Sequence, residues 1–464
     1  MFDMNSHNHQ FRDHIQSPQI KSVADQFNLE VENYLQRFPE TDCVDIFLHD
    51  LNGHLRGKRI DVHQLATLVQ GCYFPLSIYA MSLEGQVVDT SGLETFIGEP
   101  DQLCMPVLGS LQPNAIHPET HAQLFLTMQE HDGQDCLLEP RNLLKRVLQQ
   151  LNSKHYYPVM TAELEFYLFK QNPDQDPLQK HSENQSFDVD ALDHNQHILE
   201  LIKQHAALQG IDIISIVAES STGQYELNLL HTDDILKLAD QIMSLKRMIR
   251  QLAQQHQLRA CFMAKPNLHQ AGSGLHFHMS LRDQAQRNIF ATSDIKQGTF
   301  RLHQVIAGLL ALMPASMAIL APNINSFRRF KMGNHVPLEV NWGNNNRNVA
   351  IRIPCSDVEN TRIEYRVAGA DANPYLAMCI ILIGTVYGLT HELDLMPESE
   401  ANQSSDQPVF LANNQLEALA LFQNNSVLQQ YLGHPFMTLW STCKQFEYQS
   451  IHNQMTVMEL QWGI

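Results

Sequence analysis

A chain of 464 residues exceeds the length at which one hydrophobic core usually stops growing, so two domains are expected. An apolar share of 44% with 17% charged residues excludes a disordered chain. The formal charge of -19, from 31 basic and 50 acidic residues, argues against nucleic-acid and anionic-membrane partners and is compatible with a cationic substrate.

The chain begins with the polar stretch "MFDMNSHNHQFRDHIQ", which lacks the basic-then-apolar order of a signal peptide. A mobile tail and a cytoplasmic location are expected, and residues 1–37 read as a polar N-terminal extension. Cys43, Cys72, Cys104, Cys136, Cys261, Cys355, Cys379 and Cys443 are scattered, with no Cys-x-x-Cys pair. Residues 42–110 carry short β-rich runs such as "CVDIFLHDLNGHLRGKRI", broken by Asn-Gly and Glu-Gly turns, which predicts a small strand-rich domain over 38–137.

"PRNLLKRVLQQLNSK" (140–154) has apolar residues at helical spacing with Pro140 near its start, and opens a second domain over 138–464. "TDDILKLADQIMSLKRMIRQLAQQHQ" (232–257) predicts a long amphipathic helix capped by Thr232 or Asp233, burying Ile235, Leu238, Ile242, Leu245, Ile249 and Leu252. The apolar run "VIAGLLALMPASMAILAP" (305–322) approaches membrane-spanning length, but Pro314 interrupts it and no basic flank orients it, so a buried helix pair is expected. "PESEANQSSDQP" (397–408) reads as a flexible loop.

The chemistry is concentrated in "TAELEFYLF" (161–169). In a strand, Glu163, Glu165, Tyr167 and Phe169 share one face while Leu164, Phe166 and Leu168 cover the other. Two carboxylates ~6.5 Å apart at an effective dielectric of ~20 repel by roughly 2 to 3 kcal/mol, a cost that something must offset. Four further β-like runs place polar groups at alternate positions. "GQYELNL" follows Glu219 and presents Glu226, "GSGLHFHMSL" presents His276, His278 and Ser280, "RNVAIRIP" carries Arg347 and Arg352, and "TRIEYRVAGADANPY" carries Arg362, Glu364 and Arg366. Carboxylates with imidazole suit a hard divalent cation such as Mg²⁺ or Mn²⁺. Arginines beside them suit carboxylate and phosphate oxygens through bidentate, permanently charged forks.

In this order, "AELEFYLF", "ESSTGQYE", "KPN...GSGLHFHMSL", "NSFRRF", "NNNRNVAIRIP" and "RIEYRVAGADANPY" resemble the glutamine synthetase superfamily from about residue 40 to the C-terminus. "DLNGHLRGKRI", "GCYFPLSIYAM", "MPVLGSL", "LAPNINSFRRF" and "RVAGADANPYLAM" resemble its polyamine-consuming branch, the γ-glutamylputrescine synthetases.

The resemblance implies an α+β chain: a small β-grasp-like N-terminal domain and a large catalytic domain whose curved antiparallel sheet, flanked by helices, forms a funnel. It also implies a homo-oligomer, typically a dodecamer of two stacked hexameric rings. By motif, Glu165, Glu219 and Glu226 would hold one metal near the amino-acid and amine sites, and Glu163, His276 and Glu364 a second against the ATP phosphates. His278 and Ser280 would contact the nucleotide, with Arg352 and Arg362 near the transferring phosphate; Gly272, Arg329, Arg347 and Arg366 would bind glutamate, Arg347 also being able to stabilise phosphoryl charge. The implied reaction joins the γ-carboxylate of glutamate, activated by ATP as γ-glutamyl phosphate, to a primary amine of putrescine or a related polyamine.

Departures from the ammonium-using enzymes bear on the acceptor. His335 stands where they carry a flap glutamate, and is a candidate base for the attacking amine; Ala271 replaces an asparagine, and no Asp-Gly-Ser-Ser loop is present. A diamine whose methylenes lie on Tyr73, Phe74 or Tyr79, with Asp89 or Glu84 holding the far ammonium, is the corresponding expectation. Leu393 replaces the tyrosine adenylylated in regulated bacterial enzymes. The alternatives are a glutamine synthetase using ammonium, a His-x-His amidohydrolase, which has no use for the arginines, and a non-catalytic relative that would lack metal ligands.

Overall fold

The computed structural model describes residues 22–93, 98–171, 184–291, 299–331, 336–399 and 408–462. The N-terminal tail up to residue 21, His335 and residues 400–407 of the polar loop lie outside the described residues.

Within the stretch read as a polar extension, Val23–Arg37 forms an amphipathic helix. Ser22 caps it in a reciprocal box with Asp25, and Phe27, Val31 and Tyr34, spaced by helical turns, are buried. The first sheet uses β1 (Cys43–His49), β2 (Leu55–Asp61), β3 (Cys72–Pro75), β4 (Asp101–Pro106), β5 (Gln112–Pro113) and β6 (His121–Met128). Their order is β2-β1-β6-β4-β3, with β5 also on β6. β1 and β6 are parallel and the other pairs antiparallel. The β1–β2 hairpin closes because Gly53 adopts φ +76° while the Asp50 carboxylate accepts from the His54 backbone at 2.8 Å.

The Pro140–Ser153 helix starts at its proline as expected. The Ile235–Gln255 helix buries all six predicted stripe residues, but its cap is Asp234, whose side chain accepts from the Lys237 backbone at 3.1 Å. Asp234 sits one residue closer to the first helical turn than Asp233, which puts its carboxylate in reach of the N3 amide.

The second sheet comprises β7 (Tyr157–Lys170), β8 (Ile213–Ala218), β9 (Gln224–Leu229), β10 (Leu258–Cys261), β11 (Leu275–Arg282), β12 (Trp342–Asn344), β13 (Ile351–Ile353) and β14 (Ile363–Tyr365). The order is β12-β13-β14-β11-β7-β9-β8, with β10 pairing the far end of β7. All pairs are antiparallel except β12–β13 at one edge, so the sheet is the predominantly antiparallel one expected. This is an α+β chain, with helices packed against a curled sheet.

The apolar run around Pro314 is one continuous helix, Phe300–Leu320, rather than a pair. It is long and apolar enough to cross a membrane, yet 78% of its most apolar window is buried inside the protein. It crosses the Pro374–Thr390 helix at glycines: a Cβ on Gly308 would stand 2.3 Å from the Gly384 carbonyl oxygen, and one on Gly388 2.0 Å from that of Gln304. Only hydrogen fits there, so the two helices approach closely, and Thr385 of the second reaches Met279 of β11.

Candidate active site

Strand register assembles the site. Glu163 stands opposite His276 on β11 and Asn228 on β9, and Glu165 opposite Glu226 on β9. Across β11, His278 stands opposite Glu364 on β14, which in turn faces Arg352 on β13. Cross-strand partners share a face, so five strands deliver one continuous row of charged and imidazole groups. The other face of β7 carries Leu164, Phe166 and Leu168, all fully buried in the core.

His278 Nε2 lies 2.8 Å from Glu163 Oε1, and His276 Nδ1 lies 3.3 Å from Glu163 Oε2 and 3.9 Å from Glu364 Oε1. His276 Nε2 is 4.0 Å from Glu165 Oε1. Two groups result, Glu163–His276–Glu364 and Glu165–Glu226–His276, each with its ligand atoms within 4.8 Å of one another. His276 belongs to both. Glu219 stands outside the second group.

The electrostatics of the two groups differ. Burial pushes the Glu163 carboxyl up, but hydrogen bonds from His276 and His278 outweigh it and hold the group well below the usual carboxylate range. Burial also raises Glu364, which Arg366, His276 and His278 more than offset. Arg352 Nη1 donates to Glu364 Oε2 at 2.8 Å and Arg366 pairs with Oε1. On the other side, burial together with the charges of Glu163, Glu165 and Glu219 pushes Glu226 up to about 9. Burial and Glu165 push Glu219 up to about 7, against the lowering effect of Arg347. Buried carboxylate charge that Arg347 and Arg329 only partly offset is thus concentrated beside Glu165.

Backbone packing fixes the geometry. Gly274 N–H donates to Glu165 Oε2 at 2.8 Å, and Gln224 Nε2 donates to the same oxygen at 3.3 Å. A Cβ on Gly274 would stand 2.6 Å from His276 Nε2, and one on Gly272 2.6 Å from the Ala264 carbonyl oxygen. Arg329 is buried and donates to the carbonyls of Val367 and Ala368 at 2.9 and 3.2 Å, with Nη2 3.4 Å from His276 Nε2.

At the other edge, His278, Ser280 and Arg362 line a cavity of about 250 Å³ with Arg282, Asn360 and His231. The expected nucleotide contacts therefore share one concavity. Arg352 does not line it; it turns toward Glu364 and Asn345, whose Oδ1 accepts from Nη2 at 2.9 Å. Arg347 is exposed and acts on Glu219 through its charge.

Tyr79 cannot wall an amine pocket: it is fully buried and its hydroxyl donates to Glu139 at 3.2 Å. Phe74 is buried beneath Lys58, whereas Tyr73, Glu84 and Asp89 are exposed. The sequence reading missed the direct His278–Glu163 pairing and Gln224, whose alternate position along β9 could have suggested that it faces Glu165.

A family model described as glutamine synthetase, catalytic domain, matches residues 137–463. The chain belongs to the glutamine synthetase family. It is 44% identical over 446 residues to gamma-glutamylputrescine synthetase PuuA of Escherichia coli K12, with 94% of each chain covered. It is 27% identical to the glutamate–isopropylamine ligase of a Pseudomonas species, covering 93% of this chain and 96% of that one. A solved glutamine synthetase-like fold, GmaS without ligand, superposes with a TM-score of 0.81 at 26% identity, over 92% of this chain and 98% of that one. The charged face therefore lies within the matched catalytic region, β7 through β14.

Proposed function

We propose that this protein is an ATP-dependent ligase that joins the γ-carboxylate of glutamate to a primary amine of a polyamine, putrescine being the leading acceptor. The observation that carries the reading is the charged face combined with 44% identity, over 94% of each chain, to a γ-glutamylputrescine synthetase.

The donor set fits divalent cations: two clusters of carboxylate and imidazole, one bearing a carboxyl pushed up by burial and by its neighbouring carboxylates. Glu163, His276 and Glu364 would hold one ion and Glu165 and Glu226, with Glu219 alongside, the other; Mg²⁺ or Mn²⁺ suits both. Bound there, such ions supply charge neutralisation for phosphate and carboxylate oxygens.

The chain's own residues do the remaining work. A carboxylate is a poor acyl donor because its leaving group is oxide, so the glutamate γ-carboxylate attacks the ATP γ-phosphorus and becomes γ-glutamyl phosphate, releasing ADP. His278, Ser280 and Arg362 bind the nucleotide in their shared cavity, and Arg352 stabilises charge on the phosphoryl group in transit. Arg329, Arg347 and Arg366, with the close backbone at Gly272, bind glutamate. The amine then attacks the acyl carbon, phosphate leaves and the amine gives up a proton, for which His335 is a candidate acceptor; the alternative is that His335 only lines the entrance.

We further place the enzyme in the cytoplasm, a reading that the eight free cysteines support, as a ring-forming homo-oligomer whose chain divides into two domains between residues 137 and 138. An ADP-release assay with glutamate and a panel of amines tests the function. Turnover with putrescine at micromolar to millimolar concentration is expected; turnover with ammonium and none with any polyamine would overturn the assignment in favour of glutamine synthetase.

A further inference from the structure

A second cluster of metal-ligating groups lies on the other sheet, at the open end of its central strands. In the parallel β1–β6 pair Cys43 stands opposite His121, so both side chains leave the same face. Asp42 precedes Cys43, and its backbone N–H donates to the Thr120 carbonyl at 2.9 Å, which ties the two strand starts together. The Asp42 carboxylate, the Cys43 thiol and a His121 ring nitrogen lie within 4.8 Å of one another.

An independent feature sets a second imidazole beside this group, outside its 4.8 Å range. Residues 117–121 read His-Pro-Glu-Thr-His, the His-x-x-x-His spacing of zinc sites. A single turn, with the His121 N–H donating to the His117 carbonyl at 2.9 Å, sets the two imidazole rings 5.2 Å apart. The Thr120 hydroxyl lies 2.8 Å from His121 Nδ1 and orients that ring, the kind of support that metal-binding histidines carry.

We propose that Asp42, Cys43 and His121, joined by the exposed His117 once its ring rotates inward, form a zinc site that pins the starts of β1 and β6. One thiolate, two imidazoles and one carboxylate make four ligands of intermediate softness, which suits tetrahedral Zn²⁺ and disfavours the hard ions proposed for the acidic face. Binding forms the Zn–S bond and releases the Cys43 thiol proton to solvent. The site is half-exposed, so zinc enters without unfolding.

Cobalt substitution distinguishes this site from the catalytic face, which holds no cysteine. Full-length, reduced protein with excess Mg²⁺ is titrated with Co²⁺. One equivalent is expected to produce a thiolate-to-cobalt charge-transfer band in the near ultraviolet, and one equivalent of Zn²⁺ to abolish it. Cys43→Ser removes the band, and Asp42→Asn and His121→Asn weaken zinc affinity by about tenfold or more in competition with a chromophoric chelator. Turnover in Mg²⁺ stays unchanged in Cys43→Ser and Asp42→Asn; the latter changes an exposed side chain and keeps the test sound should Cys43→Ser destabilise the sheet. Absence of the band, or its persistence in Cys43→Ser, overturns the proposal and leaves the thiol as a hydrogen-bond donor to Asp42.

Discussion

Arg362 Nε lies 3.2 Å from His278 Nδ1. A guanidinium only donates, so Nδ1 must accept, and the ring carries its proton on Nε2, 2.8 Å from Glu163 Oε1. A residue expected to touch the nucleotide therefore also sets the tautomer of a histidine that holds a carboxylate of the acidic face.

Arg362→Lys keeps the charge and loses the fixed fork. The kcat/KM for ATP should fall by about 10- to 100-fold with the KM for glutamate within about twofold. Nitrogen NMR of His278 should show the Nε2-protonated form in the parent and a tautomer mixture in the variant. An unchanged tautomer would mean that Arg362 acts on the nucleotide alone.

Glu163 and Glu165 sit two residues apart on β7 but in different clusters, joined through His276. Glu163→Ala should chiefly raise the KM for ATP, Glu165→Ala chiefly those for glutamate and amine, each by about tenfold or more, and His276→Ala both. Identical kinetic profiles for the two glutamate variants would argue against the division.

Gly274→Ala inserts a methyl 2.6 Å from His276 Nε2 and 2.8 Å from Arg329 Nη2. Overpacking of this kind costs about 1–3 kcal/mol of stability, readable by denaturant titration. Activity should fall by about 100-fold or more because both displaced groups belong to the charged face. Near-parental turnover would show that the loop relaxes without moving them.

Glu139 is buried beneath the β6 end of the first sheet, with its Oε2 accepting from the Met128 N–H at 2.6 Å. Burial pushes it up to about 7 from an ordinary 4.5, against the lowering effect of that hydrogen bond. The native state therefore holds a proton that the unfolded chain has lost. The contribution is present in full below pH 4.5, declines as pH rises, and is gone above about 7. Its size is on the order of 3 kcal/mol. Calorimetry between pH 5 and 8 should show Tm falling more steeply with pH in the parent than in Glu139→Gln; parallel slopes would remove Glu139 as the cause.

Much of this was legible in the chain itself. Period-two alternation in "TAELEFYLF" put Glu163 and Glu165 on one face because a strand repeats every two residues, and the six-residue stripe of Ile235–Gln255 followed from the helical repeat. The same local logic failed where local signals were ambiguous. Val23–Arg37 looked like an extension because its three buried residues are diluted by charge, and Pro314 looked like a break although burial against the Pro374–Thr390 helix carries the helix through it.

Donor types, their faces and their order along the chain follow from alternation and residue chemistry, which are local properties. Only the tertiary structure decided that His276 serves both clusters, that Arg362 addresses His278, that Tyr79 is consumed by Glu139, and that His121 meets Cys43. Those relations depend on strand order and register between segments from tens to about two hundred residues apart, which are set by packing of the whole core rather than by any short stretch of sequence.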